Sequence, residues 1–90
     1  MKVAFLASAQ HDLKWFRRYY ERTFPERAAG ARVHYRRALA NLKDNPKIGR
    51  PTETPEIRAL PVPRTPFSLI YRIAPDRIEI IHVLDGRADH

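Results

Sequence analysis

The 90-residue sequence has no cysteine, three glycines, one methionine and one tryptophan. Without cysteine the chain cannot form a disulfide scaffold or a thiolate metal site, and this composition is typical of a reducing compartment. No apolar run approaches the roughly 20 residues that a membrane-spanning helix needs. The apolar segment after Lys2 is too short for the core of a secretory signal. We therefore expect a protein of the cytoplasm.

Positive charge is in excess and is unevenly distributed. The net charge is +7, and residues 1–45 carry ten Lys and Arg against four Asp and Glu, whereas residues 46–90 carry seven against six. A basic surface favours an acidic partner, either nucleic acid or an acidic protein segment, although a solvated helix surface has the same composition. The length and the 43% apolar content predict one domain, residues 1–90, with one modest core.

Three strands are predicted in the second half of the chain, at residues 57–62, 67–73 and 77–84. Pro75 and Asp76 favour a turn between the last two strands, which should therefore form an antiparallel hairpin. The first strand is interrupted by two prolines, which cannot donate to a ladder. It is therefore predicted to be short or to lie at an edge.

Apolar residues occur on both faces of these strands. On the second strand an apolar face lies opposite a mixed face: Phe67, Leu69, Tyr71 and Ile73 against Ser68, Ile70 and Arg72. On the third strand strict alternation predicts two sets: Ile78, Ile80, His82 and Leu84 against Glu79, Ile81 and Val83. Because neither strand has a wholly polar face, we expect the second face of the sheet to be at least partly covered, in part by a partner.

The first half of the chain predicts a strand and two helices. Residues 2–6 form the strand, which should pair into the later sheet. Ser8 is a suitable N-cap for a helix that runs to about Thr23. Pro25 suits the first turn of a second helix, which ends before Pro46. This order predicts an α+β fold, β-α-α-β-β-β, in which an antiparallel helical hairpin packs on one face of a small, mainly antiparallel sheet.

The first helix is amphipathic and has a wide aromatic arc. The centre of the arc is predicted to lie in the core: Leu13, Phe16, Tyr20 and Phe24. Trp15 and Tyr19 lie at its margin, where they either pack into the core, which the pattern favours, or serve as partly exposed anchors for a partner. The second helix carries a narrow stripe that predicts close approach of the two helices: Ala28, Ala31, Tyr35, Ala38, Leu39 and Leu42.

Three motifs resemble those of the RelE/ParE family of bacterial toxins, the toxin halves of type II toxin–antitoxin modules. They are an NPxxGRP loop at residues 45–51, a PFxxIYRI strand at residues 66–73 and a V-x-x-GR ending at residues 83–87. Each motif is weak alone, but their order and spacing make the resemblance specific, and it covers nearly the whole chain. The resemblance implies a compact toxin that an antitoxin holds inactive.

The resemblance also implies a ParD-like antitoxin, whose acidic and partly disordered C-terminal segment wraps the toxin in a hetero-oligomeric complex. An acidic chain that folds on binding suits basic helices and an apolar second sheet face. The predicted antitoxin-binding residues combine aromatic, apolar and arginine side chains: Trp15, Tyr19, Arg18, Arg22, Ile70 and Arg72.

Members of this family resemble either ribosome-dependent ribonucleases that cut mRNA or inhibitors of DNA gyrase that stop replication. Metal-free RNA cleavage needs a group that activates the 2′-OH, a cation at the phosphate and an acid for the leaving group. The RelE-like pattern of clustered Lys and Arg with a late Tyr is missing, because no Lys follows Lys47 and no Tyr follows Tyr71. The ParE-like branch is therefore favoured: a gyrase inhibitor that acts by binding and needs no cofactor or metal.

A metal-independent ribonuclease is the alternative, and its candidate residues are three arginines and a histidine: Arg64, Arg72, His82 and Arg87. Imidazole titrates near neutral pH, so His82 suits an acid or base, although a histidine between apolar strand residues more often packs. Arg72 has an equally good structural role as an ion-pair partner of Glu79. A third hypothesis is a toxin fold that retains only antitoxin binding. A generic nucleic-acid-binding module is a weaker hypothesis, because the aromatic residues fall on the buried arc and are not interleaved with the arginines. Sequence-specific DNA binding by this chain alone is not expected.

Overall fold

A computed structural model describes residues 1–85 of the chain. Its elements follow in the order β1 (Lys2–Phe5), α1 (Ala7–Thr23), α2 (Pro25–Asp44), β2 (Arg50–Pro51), β3 (Ile57–Pro61), β4 (Phe67–Ile73) and β5 (Arg77–Asp85). The predicted α+β fold and its order of elements are confirmed. The one addition is β2, a two-residue strand inside the segment that the sequence predicts to be a loop.

The five strands form one sheet in the order β1-β5-β4-β3-β2. The β4–β5 hairpin is antiparallel, as predicted, and its turn closes with a 2.8 Å hydrogen bond from the Ala74 N–H to the Arg77 carbonyl. The first strand pairs with β5 and is parallel to it. At the other side of the sheet, β3 pairs with β2 at two positions. The strand predicted to be short or at an edge, β3, is five residues long and lies next to the edge strand β2.

The core lies between the sheet and one face of the helical hairpin. Its largest fully buried side chains come mainly from the sheet: Tyr71, Leu69, Ile78, Ile80, Val62 and, from α2, Leu42. The aromatic arc of α1 packs against this layer. The ring centroid of Phe67 lies 4.4 Å from that of Phe16 and 5.2 Å from that of Tyr20. The interior of β4 therefore has the side-chain alternation that the sequence predicts.

The alternation predicted for β5 is wrong beyond Ile80. Tyr71 pairs with Ile80 but Ile70 pairs with His82, so Ile81 is an extra residue in the ladder, a β-bulge. The bulge reverses the facing of every later side chain on the strand. As a result Val83 is buried in the core with 3% of its surface exposed, and His82 is exposed.

The start of α1 also differs from the prediction. Ser8 is not the N-cap, because the helix begins at Ala7 after Leu6 and has no side-chain cap. The Ser8 hydroxyl instead donates a 2.6 Å hydrogen bond to the Ile81 carbonyl, and the Asp12 carboxylate accepts a 3.0 Å bond from the Val83 N–H. Pairing between β1 and β5 ends at Ile80. These two side chains therefore bond backbone groups of β5 beyond the point at which its pairing with β1 ends.

Within residues 1–85 no helix is long and apolar enough to cross a membrane.

Candidate binding surfaces

A cavity of about 320 Å³, which we call the interhelix groove, opens between α1, α2 and the end of the sheet. Apolar side chains line most of it: Leu13, Phe16, Tyr20, Ala28, Ala31, Tyr35, Phe67 and Val83. Ala28 and Ala31 of the predicted alanine stripe line the groove, and α1 and α2 approach to within 8 Å between Cα atoms. Burial raises the pKa of Tyr35.

Charged side chains complete the lining of the interhelix groove. Three of them are arginines, Arg17, Arg32 and Arg36, and the fourth is Glu21. Glu21 lies 3.4 Å from Arg17 in an exposed pair one helical turn apart, so it offsets only one of the three positive charges. The groove thus combines an apolar, aromatic floor with a net positive charge.

A second cavity of about 560 Å³ adjoins the first, and we call it the arginine pocket. It lies where the first turns of α2 face the turn between β3 and β4, and Tyr20 and Ala31 line both cavities. Its remaining lining is more polar: Phe24, Glu26, Arg27, Gly30, His34, Arg64, Thr65 and Pro66. This pocket extends the interhelix groove towards a cationic end.

An aromatic pair, the exposed Trp15 and the half-buried Tyr19, lies on the other side of α1. The Trp15 and Tyr19 rings stack with their centroids 5.4 Å apart and their planes at 8°, and 55% of the Trp15 surface is exposed. Arg18 and Arg22 are exposed one turn along the same helix. The favoured core position is therefore wrong for Trp15, because the helix presents its margin to solvent. The alternative, a partly exposed anchor, agrees with this geometry.

The second face of the sheet carries an ion-pair cluster. Glu79 is only 6% exposed and lies between two arginines, 2.5 Å from the Arg72 Nε and 2.6 Å from an Arg77 nitrogen. Hydrogen bonds from Arg72 and Arg77 lower the pKa of Glu79. The predicted Arg72–Glu79 pair is therefore confirmed. Ile70, one of the predicted antitoxin-binding residues, is half-buried on this same face.

The candidate nuclease residues do not converge. His82 is half-exposed, and its Nδ1 lies 3.1 Å from the Asp12 carboxylate, which also holds the Val83 N–H. Arg72 pairs with Glu79, whereas Arg64 lines the arginine pocket. Arg87 lies outside the described residues. Neither the interhelix groove nor the arginine pocket is lined by both a candidate arginine and His82.

The NPxxGRP loop owes its shape to two side chains of the sheet. The Tyr71 hydroxyl donates to the Pro46 carbonyl at 2.7 Å and accepts the Gly49 N–H at 2.9 Å. The Arg58 guanidinium donates to the Gly49 carbonyl at 2.7 Å. Burial raises the pKa of Tyr71, and the opposing effects of the Gly49 hydrogen bond and the Arg58 charge are smaller. Residues of two resemblance motifs therefore meet in a structural contact, which we call the Tyr71 anchor.

Sequence reasoning missed the partners that lie far along the chain. Asp12 and His82 are separated by 70 positions, and no local pattern connects a helix carboxylate with a strand histidine. The arginine pocket likewise joins Arg27 and Arg64, which belong to different predicted elements. Residues 1–85 contain no group of three His, Cys, Asp or Glu side chains that could hold a metal ion.

Comparison with known proteins identifies the class to which this fold belongs. The model of a family described as the ParE toxin of the type II toxin–antitoxin system parDE matches residues 3–90. A solved structure described as the chromosomal ParDE toxin–antitoxin system from P. aeruginosa is similar, with a TM-score of 0.78 and 29% sequence identity, and the match covers 92% of each chain. No curated protein matches the chain.

The fold is therefore that of the toxin component of a type II toxin–antitoxin system. Because the family model spans nearly the whole sequence, the chain belongs to the ParE toxin family. The resemblance seen in the sequence motifs is confirmed, including its ParE-like branch.

Proposed function

We propose that this toxin inhibits DNA gyrase, stops replication and so arrests bacterial growth by binding, without catalysing a reaction. The membership of the ParE family supports the target class. The observation that supports binding over catalysis is that Arg64, Arg72 and His82 lie apart. Arg72 is paired with Glu79 and His82 with Asp12, whereas Arg64 lines the arginine pocket. The proposed site of action is the bacterial cytoplasm. Cleavage of mRNA on the ribosome is the second candidate, and retention of antitoxin binding alone is the third.

We further propose that a ParD-type antitoxin neutralises the toxin by placing an acidic, amphipathic segment in the interhelix groove. The similar structure is described as a ParDE system, which supports a partner of this type. The groove has the chemistry that such a segment requires, because its aromatic floor takes an apolar helix face and its arginines attract acidic flanks.

The aromatic pair on α1 is a proposed second contact for the same antitoxin. The exposed Trp15 and the half-buried Tyr19 stacked on it offer a rigid aromatic surface next to Arg18 and Arg22, a composition typical of binding hot spots. Ile70 and Arg72 lie on the sheet face opposite the helices. A segment would have to wrap around the sheet to reach them, which a flexible acidic chain can do.

The target is tested by inducing the toxin in bacterial cells that lack its antitoxin and following DNA and protein synthesis by pulse labelling. We expect DNA synthesis to stop first and cells to filament while translation continues. Collapse of translation within minutes, with mRNA cut at ribosome-occupied codons, would contradict the gyrase proposal and support the ribonuclease. Normal growth would leave only antitoxin binding.

The groove is tested with a matched pair of α2 variants in a binding assay against the antitoxin of the same module. Ala28 lines the interhelix groove, whereas the adjacent Ala29 is exposed and lines neither cavity. We expect Ala28→Trp to lower antitoxin affinity at least about tenfold, because the indole fills the groove, and Ala29→Trp to change it less than about twofold. Equal affinities for the two variants would place the antitoxin elsewhere.

A further inference from the structure

The arginine pocket contains more positive than negative charge, and its arginines have no carboxylate partner in the described chain. Arg27 and Arg64 both line it, and no carboxylate of residues 1–85 lies within 4.0 Å of either guanidinium. The Arg27 guanidinium lies 5.6 Å from the centre of the Phe24 ring. Glu26 is the single acidic side chain in the lining. The pocket therefore has spare donors for an anion.

The turn that carries Arg64 is held in an unusual conformation. Arg64 has a φ of 63°, in the left-handed region that residues with a Cβ seldom adopt. The turn is fixed by three hydrogen bonds around Thr65, whose N–H and hydroxyl both donate to the Val62 carbonyl and whose hydroxyl accepts the Phe67 N–H. The backbone under Arg64 is thus set by the fold, which reduces the cost of ordering its side chain on a ligand.

The pocket and the interhelix groove are adjacent, since Tyr20 and Ala31 line both. A polypeptide segment in the groove would therefore have its next residues over Arg27 and Arg64. The volume of about 560 Å³ has room for a side chain together with the backbone that carries it.

We propose that the arginine pocket is the anchoring site for a single Asp or Glu side chain of the antitoxin segment that occupies the groove, a proposal that rests on the proposed antitoxin interaction. A carboxylate suits the pocket better than a phosphate dianion, because the two arginines and Glu26 together leave one net positive charge. The two guanidinium groups supply planar, forked donors that match a carboxylate.

The test measures antitoxin affinity for two doubly substituted toxins of equal net charge. One removes the pocket cations, Arg27→Gln with Arg64→Gln. The control removes two exposed arginines that line neither cavity, Arg37→Gln with Arg50→Gln. At roughly 50 mM salt we expect the pocket pair to weaken binding at least about tenfold and the control pair less than about threefold. Equal losses of affinity would mean that the pocket arginines act only through general charge attraction, and would overturn the proposal.

The carboxylate is identified by a double-mutant cycle. Each Asp and Glu of the antitoxin's toxin-binding segment is changed to Asn or Gln and measured against the wild-type toxin and against Arg64→Gln. We expect one carboxylate whose loss costs at least about fivefold with the wild-type toxin and less than about twofold with Arg64→Gln. If no carboxylate shows this coupling, the proposal is wrong. It is also wrong if inorganic phosphate competes with the antitoxin in the wild type but not in the pocket pair, while no carboxylate is coupled.

Failure of the pocket and failure of the underlying interaction give different results. If the wild-type toxin does not bind the antitoxin, or if Ala28→Trp binds as tightly as Ala29→Trp, the proposed groove interaction fails. If Ala28→Trp loses affinity while the arginine pair behaves like its control, the groove proposal stands and the anchoring site alone fails. Thermal unfolding followed by circular dichroism confirms that each variant is folded before its affinity is compared.

Discussion

The Tyr71 anchor and the interhelix groove show two opposite uses of aromatic residues in one small domain. At the anchor, Tyr71 is fully buried and its hydroxyl satisfies both a donor and an acceptor of the NPxxGRP loop. At the groove, Phe16, Tyr20 and Tyr35 are only partly buried and line a cavity of about 320 Å³. One region contributes to stability through complete packing, and in the other, apolar side chains line a cavity. In a domain of this size, stability is unevenly distributed: the Tyr71 anchor is well packed, whereas the interhelix groove is available for binding.

The largest effect should come from adding one methyl group at the anchor. A Cβ at Gly49 would lie 2.6 Å from the Tyr71 hydroxyl oxygen and 2.7 Å from a carbon of its ring, which is closer than packed atoms approach. We expect Gly49→Ala to lower the free energy of unfolding by about 3 kcal/mol, because a buried ring has little freedom to move. Urea denaturation measures the change.

Gly30 provides the control for that substitution. A Cβ built at Gly30 meets no atom within 4 Å, and this glycine lies inside α2. We expect Gly30→Ala to raise the free energy of unfolding by about 1 kcal/mol, since alanine favours a helix interior over glycine. If Gly49→Ala costs no stability, the loop at Gly49 relaxes freely and the Tyr71 anchor is loose.

Removal of the Tyr71 hydroxyl should have the next largest effect. Tyr71→Phe leaves the Gly49 N–H and the Pro46 carbonyl without the partner that they have in the folded chain. We expect a loss of about 2 kcal/mol in the free energy of unfolding, the cost of unsatisfied buried polar groups. The matched change at the groove, Tyr35→Phe, should alter it by less than about 0.5 kcal/mol. A similar loss for both tyrosines would contradict the contrast between the two regions.

Filling the groove should act in the opposite direction. Ala28→Leu adds apolar atoms that the groove can bury, so we expect the isolated toxin to gain about 1 kcal/mol in the free energy of unfolding. The exposed neighbour gives the comparison, and Ala29→Leu should change the value by less than about 0.5 kcal/mol. Destabilisation by Ala28→Leu would show that the groove is already efficiently packed.

The Glu79 cluster should make stability depend on pH in a defined direction. Its pKa is lowered from the ordinary value of 4.5 by hydrogen bonds from Arg72 and Arg77. In acid the unfolded chain therefore takes up a proton that the folded chain does not, which favours unfolding. The stabilisation is complete above about pH 4.5 and is lost as the pH falls through the lowered folded-state pKa.

Glu79→Gln measures this contribution. The variant has no carboxyl at this position, so its urea midpoint should lie below that of the wild type at about pH 7, and the difference should shrink as the pH falls below about 4.5. Other acidic residues affect both proteins alike and cancel in the comparison. A difference that stays constant down to about pH 3 would mean that the ion pairs add no stability.

Much of the fold was predictable because its signals are local. Pro25 and Pro46 mark the ends of α2, which spans Pro25–Asp44, and the turn at Pro75 and Asp76 determines where β4 gives way to β5. The apolar face of β4 follows strand alternation. The ends of these elements depend on backbone constraints of single residues, which act at short range whatever the rest of the chain does.

The candidate surfaces were predictable only in part. The amphipathic pattern places Trp15 and Tyr19 at the margin of the aromatic arc, but it cannot say whether neighbouring elements cover that margin. The bulge at Ile81 has no sequence signal that we detected, and it alone places Val83 in the core and His82 outside. The interhelix groove depends on how far two helices with small residues separate, which is a property of their packing on the sheet.

The sequence by itself determined the order of the elements, most of their ends, the basic first half and the motifs that mark a ParE toxin. Tertiary structure alone decided that Tyr71 supports the NPxxGRP loop, that Asp12 pairs with His82, and that Arg27 and Arg64 share a pocket. The physical reason is distance along the chain. Backbone constraints act between neighbours, whereas burial, pairing and cavities arise from residues that meet only after the helices have packed on the sheet.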